Sequence, residues 1–326
     1  MNAITQITDS SLESVLEQYN IGTLVRYWSA TNGIENSNFF LRTRSAAGDC
    51  EYVLTIMEQA PYSGASYVTL LKTLHTNGLA VAPPLVTRAG QNISQLAGKP
   101  AMLQHRLPGH HVRNPTLEQI CSIARFTARM HLTASAASIK LPEYPRTHAW
   151  LTAQIAKVRG RLSFSDGELL NNSMQKVSSL LTRKDVEKLP QGAIHADLFR
   201  DNALFNSFGL SGVIDFHHAA QGYWIYDLAV LANDWCTDGT GLLDPDRTLA
   251  LLRAYNSLRA LCDAELWFFS DFTLYAALTF WLSRLAPALA NGSTDLARKK
   301  NPEEFQRIVA HHIRHSFFVD ARQLNS

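Results

Sequence analysis

The chain has 326 residues, 46% of them hydrophobic and 18% charged, with a formal net charge of +2. That is enough chain for two lobes with their own cores, at an ordinary globular composition. So small a net charge gives no electrostatic footprint for nucleic acid or an anionic membrane, and neither is expected as a partner.

Residues 9–19 are predicted as a short amphipathic helix, capped by Asp9 or Ser10, with Leu12, Val15, Leu16 and Tyr19 at helical spacing. A strand is expected around 26–28, a polar loop over 31–38, a second strand over 39–43, a turn at 46–49 and a third strand over 51–57. Residues 66–77 read as a helix stopped by Gly78, and 85–104 as two or three further short strands with turns at 89–92 and 97–100. Leu107-Pro108-Gly109 then punctuates the chain, placing a lobe boundary near 104–109 and predicting an N-terminal lobe of 1–105 and a C-terminal lobe of 106–326. Beyond it the pattern is mainly helical. Thr116 and Gln119 have capping-box spacing ahead of a face made by Ile120, Ile123, Ala124, Thr127, Ala128 and His131. Further helices are expected over 148–160, 167–182, 225–236, 246–260, 263–290 and 302–319. The expected fold class is α+β, a small antiparallel sheet lobe followed by a larger helical lobe.

The chemistry concentrates in one stretch. Residues His195-Ala196-Asp197-Leu198-Phe199-Arg200-Asp201-Asn202 read H-x-D-L-x-x-x-N, and Ile214-Asp215-Phe216 sets an apolar-flanked aspartate eighteen residues after Asp197. Short strands are expected over 203–205 and 210–214 around a turn at 206–209, so a hairpin carries Asn202 and Asp215 toward one edge. This is the catalytic-loop and metal-loop pattern of the kinase fold. Phosphoryl transfer needs a carboxylate to orient and deprotonate the attacking hydroxyl, and oxygen ligands to hold Mg²⁺ against the nucleotide phosphates. Asp197 is the candidate for the first task. Asn202 and Asp215 are candidates for the second, because Mg²⁺ takes few protein oxygens. His195 is expected to buttress the loop from a buried position.

With these residues the chain resembles the aminoglycoside-phosphotransferase and choline-kinase superfamily, a two-lobed protein-kinase-like fold. Within it the chain is similar to the bacterial homoserine kinases of the kinase-like type. Carrying the narrower resemblance are Gly33-Ile34-Glu35-Asn36-Ser37-Asn38-Phe39-Phe40, 52–55, 96–101, 106–109, 195–205, 226–230 and Asn233-Asp234-Trp235-Cys236. The resemblance implies ATP and Mg²⁺ as cofactors and L-homoserine as the small-molecule substrate. The product would be O-phospho-L-homoserine, on the way to threonine. It also implies that the loop of Gly33, Asn36, Ser37 and Asn38 covers the phosphates, that Gln104 and Arg106 belong to an adenine-facing connection, and that Asp227 ties down the catalytic loop. An N-cap role is the plainer reading of Asp227.

Two features depart from the pattern. Thr55 stands where many relatives carry a Lys or Arg for the phosphates, and the helix of 66–77 has no Glu to pair with such a cation. Arg42 and Arg106 are weak substitutes, and Glu35 reads as loop-fixing. An amino-acid acceptor needs an acidic group for its ammonium and a cation for its carboxylate; Asp201 and Asp234, and Arg200, are the candidates. Rival readings change the acceptor to an aminoglycoside, choline or sugar alcohol, or make the chain a catalytically silent nucleotide-binding regulator. A protein kinase fits less well, with Ala196 in place of the loop arginine and no A-P-E after Asp215.

The remaining features have bland readings. Residues 266–285, broken by Ser270, Asp271, Ser283 and Arg284, fit a buried helix rather than a membrane span. Phe272, Tyr275, Phe280 and Trp281 are expected in its core face. The pairs His110-His111, His217-His218 and His311-His312, with His315, lack zinc-site spacing with cysteine and read as packing or solvated residues. No basic residue precedes Arg26, and Cys50, Cys121, Cys236 and Cys262 form no C-x-x-C, so a cytoplasmic protein with free thiols is expected.

Overall fold

The structure, a computed structural model, describes residues 5–30, 36–58, 64–291 and 301–324. It divides into two compact units: residues 1–109 with 211–214, and residues 110–210 with 215–326.

The first unit is built on a five-stranded antiparallel sheet. Its strands are β1 (Thr23–Ser29), β2 (Ser37–Ser45), β3 (Gly48–Ile56), β4 (Ser94–Leu96) and β5 (Lys99–His105), in the order β1-β2-β3-β5-β4. Alternation along the strands separates two faces. Phe39, Leu41, Tyr52, Leu54, Ile56, Ala101 and Leu103 join a core with Leu12, Val15 and Leu16 of helix α1 (Asp9–Leu16). The opposite parity carries a cross-strand row of Asn38, Thr55 and Met102. Helix α2 (Gly64–Thr76) follows β3. Pro83 and Pro84 explain why no strand forms early in the 85–104 region. That segment instead bonds to β5 through Leu85 N–H to Leu103 O at 2.7 Å. The cap of α1 is Thr8 rather than Asp9 or Ser10. Its extended backbone and a reciprocal box with Ser11 satisfy the first-turn donors, leaving Asp9 inside the first turn to accept from the Tyr27 hydroxyl at 2.6 Å.

The second unit is helical around α6 (Trp224–Trp235), whose twelve residues are all buried. A helix buried on every side lies at the centre of a core. Around it stand α3 (Leu117–Ala136), α4 (His148–Val158), α5 (Phe164–Leu181), α7 (Pro245–Asn256), α8 (Asp263–Asn291) and α9 (Pro302–Arg314). Thr116 and Gln119 make the expected capping box on α3. Helix α9 stops five residues short of the expected end, at the extended His315. Strands β6 (Gln191–Ile194) and β9 (Ala220–Tyr223) pair antiparallel, and β7 (Ala203–Asn206) with β8 (Gly209–Val213) forms the expected hairpin. Phe272, Tyr275, Phe280 and Trp281 are buried on α8. The four cysteines are free thiols. Among the described residues no helix is long and apolar enough to cross a membrane.

Candidate active site

The loop between β6 and β7 carries the motif, and α6 holds it. Asp227 and Asp234 are seven residues apart, so they share a helix face two turns from each other. Because β9 runs directly into the helix, its N-cap is Tyr223, and Asp227 lies inside the first turn rather than capping it. The Asp227 carboxylate accepts from the backbone N–H of His195 and of Ala196, each at 2.8 Å. These bonds hold Ala196 at a φ of 64°, a left-handed conformation that costs a non-glycine residue energy. Asp234 accepts from the Arg200 backbone N–H at 2.7 Å and from its Nε and Nη2 at 3.1 Å. Trp235 Nε1 donates to Leu198 O at 3.1 Å. One helix thus grips the loop at its start, middle and end.

Behind Asp227 lies a polar chain that the sequence reading did not single out. His131 Nε2 is 3.0 Å from Asp227 Oδ2, and its Nδ1 is 2.8 Å from the Tyr255 hydroxyl. A carboxylate only accepts, so Nε2 carries the proton and Nδ1 accepts from Tyr255. The imidazole stacks on Trp224 with ring centroids 5.3 Å apart.

Asp197 and Asn202 meet inside the loop. Asn202 Nδ2 donates to the Asp197 backbone O at 2.7 Å and to its carboxylate at 3.1 Å. With both donors directed inward, Asn202 Oδ1 is left as an oxygen donor for a ligand. Asp215 is the second residue after the hairpin, left-handed with a φ of 63°, and its carboxylate is half-exposed, 3.8 Å from His217 Nε2. His195 is fully buried, its ring 4.5 Å from that of Phe216 beside Asp215. It accepts the Asp197 N–H at 3.4 Å through Nδ1. An amide oxygen and a half-exposed carboxylate are hard donors that suit a small divalent cation.

The acceptor candidates are arranged differently from one another. Arg200 and Asp234 are paired with each other, and Arg200 also donates to Arg113 O at 2.5 Å. Burial pushes the Asp234 carboxyl above the usual carboxylate range, against the pull of Arg200. Asp201 is exposed.

In the first unit, Gly33 and Glu35 lie outside the described residues. Thr55 Oγ1 donates to Asn38 Oδ1 at 2.7 Å, tying the two residues where a phosphate-binding cation was missed. Asn36 and Ser37 are anchored by Glu58: its N–H donates to Asn36 Oδ1 at 3.3 Å, and its carboxylate accepts from the Ser37 hydroxyl, from the Thr5 N–H and from Lys99. Burial works to raise the Glu58 carboxyl, but Lys99, Ser37 and Thr5 outweigh it and hold it at about 2. Parity puts Lys99 on the α1 face of the sheet, opposite Thr55, so it does not replace the missing cation there. Gln104 donates through its side chain to Ala82 O. Arg106 pairs with Glu51 at 2.7 Å and lies over the Phe40 ring at 4.5 Å, while Arg42 pairs with the same carboxylate.

Residues 29–261 match the model of the phosphotransferase enzyme family. The homoserine kinase of Pseudomonas aeruginosa is 36% identical over 95% of this chain and 96% of its own. That of Ralstonia nicotianae is 33% identical over 96% of each. Among solved structures, the microcompartment-associated aminopropanol kinase superposes with a TM-score of 0.72 at 17% identity, covering 94% of this chain and 97% of its own. An amicoumacin kinase solved with AMP-PNP and Ca²⁺ superposes with a TM-score of 0.70 at 17% identity, covering 95% and 94%. With the two-lobed kinase-like architecture and a match of this extent, the chain belongs to the phosphotransferase enzyme family.

Proposed function

We propose that this protein is an ATP-dependent kinase that phosphorylates the side-chain hydroxyl of L-homoserine, giving O-phospho-L-homoserine in threonine biosynthesis. The reaction class rests on one observation above the others: the Asn202 amide is turned onto Asp197, leaving its oxygen available beside the carboxylate. The acceptor rests on relatives named homoserine kinase that align over nearly their full length.

In this reading Asp197 accepts a hydrogen bond from the attacking hydroxyl and takes its proton as the new oxygen–phosphorus bond forms and the bond from the γ-phosphorus to the β–γ bridging oxygen breaks, releasing ADP. Asn202 Oδ1 and Asp215 are the ligands for Mg²⁺. When bound, that ion neutralises charge on the transferring phosphate. Asp227, with His195 packed beneath the loop, keeps Asp197 in place. The segment of Gly33, Asn36, Ser37 and Asn38 supplies donors to the phosphates, and 104–106 meets the adenine. ATP and a divalent metal are in keeping with the ligands of the amicoumacin kinase.

The test is an ADP-release assay with a panel of alcohols. L-Homoserine is expected to turn over far better than choline, an aminoglycoside or 1,4-butanediol, in a reaction that needs Mg²⁺. Asp197→Asn is expected to lower turnover by roughly 10²–10⁴-fold while ATP binding persists. Faster turnover of choline or an aminoglycoside overturns the acceptor. Near-normal activity of Asp197→Asn overturns the assignment of the base.

A further inference from the structure

The sheet face turned away from α1 is ordered in rows. Cross-strand pairing sets Trp28, Phe40, Val53 and Gln104 in one row and Asn38, Thr55 and Met102 in the next. Arg42, Glu51 and Arg106 lie beyond the aromatic row, on its other side. Four residues of extended chain, about 13 Å, part Arg42 from Asn38 and Arg106 from Met102, and both arginines are paired with Glu51. Lys99 belongs to the opposite face, with Glu58 and Thr5. The cations weighed for the phosphates therefore stand away from Thr55.

What Thr55 holds is an amide. Its side chain is buried, 4% exposed, and the hydroxyl donates to Asn38 Oδ1 directly across the strand pair at 2.7 Å. That bond assigns the two ends of the amide. Reversed, the amide would set N–H groups against Thr55 Oγ1 and leave the buried hydroxyl proton without an acceptor. With Oδ1 fixed on Thr55, Nδ2 is left to donate elsewhere. Asn38 is half-buried, so a ligand can reach it. Its main chain is fixed as well, its carbonyl accepting the Ala30 N–H at 2.8 Å. Ser37, by contrast, gives its hydroxyl proton to Glu58. The row beside Asn38 contains Gln104, in the segment read as meeting the adenine. A nucleotide lying along this face with its base at that row brings its phosphates to the next row, roughly 7 Å along the strands.

We propose that the Asn38 side-chain amide, oriented by Thr55, donates to the phosphates of ATP and takes the place of a side-chain cation there. The proposal rests on the ATP-dependent kinase reading and deepens it. Asn38 is the binding residue and Thr55 the positioning residue. An amide holds phosphate oxygens by the direction of its N–H groups and adds no charge.

Calorimetric titration of ADP and of adenosine in Mg²⁺ buffer tests it, with Asn38→Asp and Thr55→Val. Adenosine shares the base and sugar and lacks the phosphates, so it reports the rest of the site. Asn38→Asp keeps an acceptor for the Thr55 hydroxyl and turns the outward donor into an anion. It is expected to weaken ADP binding about 10²-fold and to leave adenosine within about twofold of the parent. Thr55→Val keeps the amide and removes what orients it, and is expected to weaken ADP about fivefold with adenosine again unchanged. Binding of ADP by Asn38→Asp at the parent's affinity overturns the proposal and leaves the kinase reading intact. So does an equal loss for ADP and adenosine, which marks a residue that only shapes the sheet. Parent-like ADP binding by Thr55→Val overturns the orienting role of Thr55. A parent protein that binds neither compound overturns the nucleotide reading beneath the proposal.

Discussion

Two loops carry the candidate chemistry, and carboxylates hold both, but by different means. The loop of 195–202 is gripped by Asp227 and Asp234, which project from a buried helix and accept backbone N–H groups. The segment of 36–38 is gripped by Glu58, two residues past the end of the central strand β3, which accepts a hydroxyl, a backbone N–H and the ammonium of a half-exposed Lys99. A carboxylate buried among backbone donors is costly to disturb, because any replacement leaves those donors unpaired away from water. One shared with a solvated lysine loses less, since water can take over part of its role. The helical clamp therefore holds the candidate catalytic loop under the tighter constraint, and the strand-end clamp holds its segment under a weaker one.

Asp227→Asn breaks the stronger clamp. An amide turns one acceptor into a donor, set either against the Ala196 N–H or against the His195 N–H and His131 together. The expected loss is about 3–5 kcal/mol of stability, with a large fall in kcat/KM, read by thermal unfolding and by the coupled assay. A variant with near-parent midpoint and activity would mean that the loop holds its own shape.

Asp234→Asn acts at the other end of the same loop, where Arg200 is partly exposed and can turn to water. The expected loss is smaller, about 2–3 kcal/mol, with a lower kcat and little change in the KM for the acceptor. A raised acceptor KM with kcat and midpoint preserved would instead return Asp234 to the role of meeting the ammonium.

The same contrast governs how much the sequence disclosed. Asp197, Asn202 and Asp215 stood out as candidates because they lie in local, ordered spacing, and the Asn202–Asp197 bond spans five residues. The Thr116 box was legible for the same reason, whereas Thr8 was missed because its partner is Ser11 rather than Glu or Gln. The seven-residue spacing of Asp227 and Asp234 was visible, but not their partners, which lie 31–34 residues upstream. The bonds of His131 to Asp227 and to Tyr255 carried no local signal, since they span 96 and 124 residues. Long-range pairing is decided by tertiary packing, which a single chain's periodicity does not encode.

Glu58→Gln tests the weaker clamp and is expected to cost roughly 1–2 kcal/mol at neutral pH, with a raised KM for ATP and unchanged acceptor KM. Its pH dependence has a definite sign. The folded carboxyl, at about 2, lies below its ordinary value of 4.5. Its contribution is therefore complete above 4.5 and is lost as pH falls toward 2. Between those values the parent should lose stability faster than Glu58→Gln. Parallel acid-unfolding curves would show that the Lys99 and Ser37 bonds do not outweigh burial.

The smallest expected effect comes from the far side of α6 and separates its titration from that of Glu58. His312 on α9 is buried, its Nε2 2.8 Å from Asn233 Oδ1, and Asn233 Nδ2 donates to Thr273 O at 2.8 Å. The amide is thereby oriented so that the imidazole donates. Burial, aided by His311, lowers the His312 pKa from 6.5 to about 3. The unfolded chain takes up this proton below 6.5 while the folded one refuses it until about 3, so stability rises with pH across that window and falls on acidification. At pH 6 the loss is roughly 1 kcal/mol or less, before any contribution from Glu58 begins. His312→Gln keeps a donor for Asn233 and removes the titration. Its thermal midpoint should be flatter than the parent's between pH 7 and about 5, where proton uptake by the unfolded histidine is the difference. Equal slopes for the two proteins would mean that water reaches His312 and that the α6–α9 contact opens before the fold does.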